Sequence, residues 1–141
     1  MIQFTGVWRL ISSEFRTSND DVVYPLGDDA IGLAIFTESG YMSAQLMKRN
    51  RPVFVNDSPT GGSAEETVAA FRGYLAYYGR CDINEEENSL TTHVEGSLFP
   101  NWVGGKQLRF YRLSEDQLTL TTPPIALGDI SIVGELVWER E

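Results

Sequence analysis

The single histidine of the chain, His93, stands two residues before a carboxylate, Glu95, in the stretch Leu90–Trp102, LTTHVEGSLFPNW. An imidazole beside a carboxylate can take a proton from one atom and return it to another near neutral pH. A second carboxylate, Glu14, lies in the alternating run Val7–Phe15. His93, Glu14 and Glu95 are therefore the candidate acid/base residues. Enclosure decides whether they act, because burial and close partners are what tune an ionisation. If the stretch is a strand, His93, Glu95 and Ser97 share one face and Thr92, Val94, Gly96 and Leu98 the other. Either face could be the inner one. By the same alternation Ser12 and Glu14 go with Trp8 and Leu10.

Neutral hydrogen-bonding residues surround this set. Tyr41, Ser43 and Gln45 alternate with Met42, Ala44 and Leu46, and Tyr78 lies on an aromatic run from Tyr74 to Ile83. Asn101 and Trp102 follow Pro100 at an expected rim, and Arg109, like Arg72, is a cation able to reach a ligand carboxylate. Candidate substrate-binding residues are thus Ser12, Tyr41, Ser43, Gln45, Tyr78, Asn101, Trp102 and Arg109, each with ordinary wall packing or surface exposure as the alternative. Cys81 has only Arg80 as a local basic neighbour and reads as a structural thiol.

Several chemistries find no support. His93 and Glu95 make only two ligands, with no second histidine and no paired cysteines, so no metal site is expected. Serine-elbow, P-loop and dinucleotide fingerprints are missing, and no cofactor is implied. The net charge of -9 and pI near 4.5 argue against nucleic acid and anionic membrane surfaces as partners. One cysteine excludes an internal disulfide, and MIQFTGVWRL lacks the pattern of a signal peptide, which together suggest a cytoplasmic protein. The oligomeric state, a homodimer included, stays open.

The elements that must position these residues follow from alternation and turn chemistry. A length of 141 residues fits one domain, residues 1–141, and 7 Phe, 6 Tyr and 3 Trp supply a well-filled core. Val7–Phe15, Ala30–Thr37, Tyr41–Met47, Tyr74–Ile83, the Leu90 stretch, Lys106–Leu113, Gln117–Thr122 and Ile130–Glu139 read as eight substantial strands. Val22–Tyr24 is a short extended piece, and Glu38-Ser39-Gly40 makes a hairpin that pairs its neighbours antiparallel. Lys48–Gly62 is a long Pro/Gly/Asn/Asp-rich connection of the kind used for lids and binding loops. Ser63-Ala64-Glu65-Glu66 is a capping box, and Val68, Phe71 and Leu75 give the one helix an apolar stripe that should pack on one end or flank of a sheet. The expected fold is all-β: an eight-stranded antiparallel up-and-down barrel with one short helix inserted between strands four and five.

Gly6-Val7-Trp8 resembles the Gly-x-Trp signature of the lipocalin and calycin barrels, and Arg140 is placed like the arginine that covers that tryptophan. The ordered set GVWRLISSE, YPLG, ESGYMSAQLM, AFRGYLAYYG, HVEGSLFPNWVG, LTLTTPP and LVWERE is similar to the small lipocalin-like domain family from Gly6 to Arg140. The resemblance implies a calycin-type barrel with Trp8 at its base and Ser12 and Glu14 looking inward above it. Members often lie beside genes of secondary metabolism, and barrel families of this kind include binders, orphan domains, cyclases and isomerases. The leading expectation is a cofactor-independent cyclase or isomerase that encloses a small, largely apolar oxygenated metabolite and moves a proton with His93 and Glu14 or Glu95. The alternative is a non-catalytic carrier of the same ligand class. A barrel filled by its own side chains would be neither.

Overall fold

The computed structural model describes residues 2–141. In chain order its strands are β1 (Gly6–Thr17), β2 (Val22–Val23), β3 (Ile31–Phe36), β4 (Tyr41–Met47), β5 (Tyr74–Asn84), β6 (Ser89–Ser97), β7 (Lys106–Leu113), β8 (Gln117–Thr121), β9 (Ile125–Leu127) and β10 (Ile130–Arg140), with one helix, α1 (Ala64–Arg72), between β4 and β5. Eight of the strands close into a ring in the order β1-β3-β4-β5-β6-β7-β8-β10, and the β1–β10 pairing seals it. All neighbours are antiparallel, so short turns suffice to join them. The Glu38-Ser39-Gly40 turn joins β3 to β4, with Gly40 at φ +93°, a backbone region that glycine enters without a Cβ clash. Strands β2 and β9 are short additions to β1 and β10 at one end of the ring.

The other end is plugged. Trp8 is fully buried, and its indole Nε1 donates to the Phe4 carbonyl at 2.9 Å from a short 3-10 turn, Ile2–Phe4. Phe4 in turn meets Tyr111 edge-on at 5.0 Å and Phe36 at 5.7 Å. The Arg140 guanidinium lies 4.1 Å over the Trp8 ring and donates to the carbonyls of Gln3, Thr5 and Glu115. One side chain thereby ties both ends of the chain to the β7–β8 region. The base closure expected from Gly6-Val7-Trp8 and Arg140 is present in full.

Two bulges set which side chains look inward. In the β1–β10 register Leu10 faces Trp138 but Ser12 faces Val137, so Ile11 is an extra residue and the alternation of β1 changes phase there. Trp8 and Leu10 are buried before the bulge, and Ser13 and Thr17 after it. Ser12 and Glu14 consequently fall on the outer wall, not beside Trp8 as strict alternation predicts. The second bulge lies between Tyr78 and Gly79, which pair with Gly96 and Val94 and leave Glu95 unpaired. A Cβ on Gly79 would sit 1.9 Å from the His93 carbonyl oxygen, so only glycine lets the two strands approach here.

Helix α1 starts as expected. The Ser63 hydroxyl accepts from Glu66 N at 3.1 Å, and the Glu66 carboxylate accepts from Ser63 N at 2.9 Å and from Val55 N at 2.9 Å. The two backbone N–H groups that donate to the Glu66 carboxylate, Ser63 first and then Val55, hold its pKa below the usual carboxylate range. The expected apolar stripe does not form: Val68 and Phe71 are nearly half exposed, no residue of α1 is buried, and Leu75 belongs to β5. A helix of nine residues, ended at Gly73 and followed at once by a strand, stands at the rim and does not lie along a sheet face.

Candidate functional site

Above the Trp8 plug the barrel encloses a cavity of about 530 Å³ that opens at the rim. That size lies within the range of small-molecule sites, roughly 300–1,000 Å³. Its floor is Trp138, which pairs with Leu10 and Leu118 deep in the ring. The walls are Ala34, Met42, Ala44, Leu46, Leu120 and Leu136, the inward faces of β3, β4, β8 and β10. Phe15, Leu26, Trp102 and Ile125 line its upper part, with Arg72 reaching it from α1. The interior is thus apolar on most sides and is not filled by its own side chains.

Polar groups enter from few positions. On β7, Gln107, Arg109, Tyr111 and Leu113 are partly buried while Lys106, Leu108, Phe110 and Arg112 are exposed, so alternation turns Gln107 and Arg109 inward. Arg109 donates through Nη1 to the Leu108 carbonyl at 2.7 Å and through Nη2 to Gln107 Oε1 at 3.2 Å. Tyr77, buried on β5, presents its ring to the cavity and meets Trp102 edge-on at 5.5 Å. Burial raises the Tyr77 pKa, and the Arg109 charge opposes the rise in part. The Trp138 Nε1–H is buried with no hydrogen-bond partner among the described residues.

Of the residues expected from the sequence, Trp102 and Arg109 line the cavity. The three acid/base candidates lie outside it. His93 pairs with Arg80 across the outer wall, and its Nε2 lies 2.7 Å from Asp82 Oδ2, both side chains being well exposed. Thr92 and Val94 take the inner face of β6, because they are the residues packed in the core beside Cys81 and Leu90. Glu95 is exposed at the bulge, and Glu14 lies 3.7 Å from Arg16 on the outside. His93, Glu14 and Glu95 are not brought together around any enclosed volume.

The remaining binding candidates are also exterior. Met42, Ala44 and Leu46 are buried, which turns Tyr41, Ser43 and Gln45 outward. Tyr41 lies under Arg80, whose guanidinium is 4.8 Å from its ring, and Gln45 accepts from the Tyr74 hydroxyl at 2.6 Å. Tyr78 is half exposed and covers Gly96, where a Cβ would strike its ring. Ser12 follows the β1 bulge onto the outer wall, and Asn101 is exposed at the rim. Gln107, Tyr77 and Trp138 were not among the expected site residues. The signal for the first lies in β7, where Gln107 and Arg109 share parity with Tyr111 and Leu113. Burial pushes the Cys81 thiol up to about 11, in keeping with a structural role.

Among the described residues no group of three or more His, Cys, Asp or Glu side chains could hold a metal ion, and no helix is long and apolar enough to cross a membrane. A family model described as a lipocalin-like domain matches residues 5–141. The chain is also 36% identical over 106 residues to the 4'-hydroxy-3'-methoxypropiophenone carrier protein ppsC of Aspergillus oryzae, an alignment that covers 70% of this chain and 96% of that relative.

Proposed function

The chain belongs to the lipocalin-like domain family, and from that premise we propose that it binds one small, largely apolar, oxygenated metabolite in the barrel and carries it chemically intact. The observation that carries this reading is the cavity itself: about 530 Å³, plugged at one end by Trp8 and Arg140, open at the other, and apolar on most sides. The relative's named cargo is an aryl ketone with hydroxyl and methoxy groups, the size and polarity such a cavity suits. A cofactor-independent cyclase or isomerase, as secondary metabolism uses, is the finer alternative. It needs a group that moves a proton beside the ligand; the lining includes neither histidine nor carboxylate, which leaves Tyr74, Tyr77 and Lys106 for that task. Carriage therefore accounts for the interior with fewer requirements.

The test is titration with 4'-hydroxy-3'-methoxypropiophenone and related aryl ketones, followed by tryptophan fluorescence. Trp102 and Trp138 line the cavity and report directly on its occupancy. One-to-one saturable binding is expected, with the ligand recovered unchanged by mass spectrometry. Ala44→Trp should fill the cavity and abolish binding, whereas His93→Ala and Glu14→Gln on the outer wall should leave it as in the wild type. Binding that survives Ala44→Trp would remove the cavity from the account, and a ligand recovered in altered form would restore the catalytic alternative.

A further inference from the structure

The charges that line the cavity are all of one sign. The chain carries 20 carboxylate residues against 11 Lys and Arg, yet the lining takes Arg72, Arg109 and, from the exposed edge of β7, Lys106, and no Asp or Glu. None of the three is in an ion pair among the described residues, whereas Arg9, Arg16, Arg49 and Arg112 each meet a carboxylate. Arg109 reaches the interior from the middle of β7, and among the described residues it donates to the Leu108 carbonyl and the Gln107 amide oxygen, neither of which cancels its charge. A guanidinium without a counter-charge on the wall of a mostly apolar cavity is a ready partner for an anionic ligand group.

The uncharged polar groups point the same way. Gln107 spends its amide oxygen on Arg109, which leaves the amide N–H2 as the free function. The hydroxyls of Ser13, Tyr77 and Thr122 also line the cavity and can donate as well as accept, so an accepting oxygen finds donors on several sides. Outside the rim, Arg72 also borders a groove with Lys48, Arg49 and Arg51, so an approaching anion meets positive charge before it enters.

We propose that the cavity selects its ligand as an oxyanion: a small apolar, aromatic-sized body whose carboxylate or acidic phenol is held ionised by Arg109, with the Gln107 amide as a further donor. This rests on the carrier reading and specifies its cargo. A phenol with a carbonyl para to the hydroxyl belongs to the class, because its conjugate base spreads charge onto the ketone oxygen and forms at a lower pH than a simple phenol's. Binding then lowers the phenol's apparent pKa, and a proton is released to solvent on loading.

The experiment compares matched pairs on the intact chain: an aryl carboxylate with its carboxamide, and a 4-hydroxyaryl ketone with its 4-methoxy ether. In the wild type each anion-forming member should bind about 10- to 100-fold more tightly than its neutral partner, the range expected for hydrogen bonds to a charged group. At neutral pH the bound hydroxyaryl ketone should show the red-shifted absorption of its phenolate, which the ether cannot. Preference for the carboxylate pair alone assigns the cargo to carboxylic acids, and preference with the phenolate band assigns it to acidic phenols. Arg109→Met should lose the preference and the phenolate band, while Arg109→Lys keeps part of both. Neutral members bound as tightly as the anions by the wild type overturn the anion selection and leave carriage standing. Saturable binding of no member overturns both.

Discussion

The plug under the cavity permits a worked prediction. Arg140→Ala removes one guanidinium that lies 4.1 Å over Trp8 and donates to Thr5 O at 2.9 Å, Gln3 O at 2.8 Å and Glu115 O at 2.9 Å. The Glu115 bond is exposed, and water replaces it at little cost. The two part-buried bonds are worth about 1 kcal/mol each once water competition is counted, and the cation–π contact about 1 kcal/mol more. The expected loss is therefore about 3 kcal/mol, which for a chain of this size corresponds to a Tm lower by roughly 10 °C. Arg140→Lys keeps a charge over the ring, but an ammonium cannot span three carbonyls in separate segments, so it should retain only about a third of the effect. Urea unfolding followed by far-UV circular dichroism and tryptophan fluorescence measures both, with an unchanged slope against denaturant if the native barrel still closes. Ligand affinity should be unaltered in the folded protein, because the cavity lies above the plug. An Arg140→Ala variant within about 0.5 kcal/mol of wild type, or Arg140→Lys equal to wild type, would refute the reasoning.

Two further outcomes follow from buried positions. Gly79→Ala would put a Cβ 1.9 Å from the His93 carbonyl oxygen and 3.1 Å from Glu95 N, both backbone atoms of the paired strand, and should cost at least about 3 kcal/mol or prevent folding; thermal melts of the variant check it. Cys81 keeps its proton in the fold up to about pH 11 against an ordinary value of 9.0, so its contribution is complete below pH 9 and falls as pH rises toward 11. Between pH 8 and 11 the wild type should lose about 2–3 kcal/mol more stability than Cys81→Ala, read from urea midpoints at both pH values; parallel curves would remove Cys81 from the alkaline limb.

Strand positions, the hairpin at Gly40, the capping box at Ser63 and the Trp8–Arg140 closure were legible because each rests on local alternation or on residue types with one good use. The inner face of β1 was not. Its bulge at Ile11 is fixed by how Leu10 and Ser12 meet Trp138 and Val137 at the far end of the chain, and a one-residue change of phase sends every later side chain to the opposite face. That single step carried Ser12 and Glu14 out of the barrel. On β6 both faces contain polar residues, and the outcome turned on packing: Thr92 and Val94 fill space beside Cys81, which the larger, ionisable His93 and Glu95 would have to enter without partners. Arg109 and Trp102 were found by residue type alone. Gln107 and Trp138 were missed because a glutamine in a polar strand and a tryptophan in a barrel core have common structural uses.

Helix α1 buries none of its own residues and is held by Glu66 bonds to Ser63 and Val55 and by Arg51 donating to the Ala70 carbonyl. Few core contacts are lost if this rim segment detaches, so its local opening free energy lies well below that of the strand ring and its amides should exchange with solvent sooner. Because Arg72 at its C-terminal end borders the cavity, such an opening would speed loading and unloading by the same factor. The rim would then govern how quickly a ligand enters and leaves, and the interior how firmly it is held.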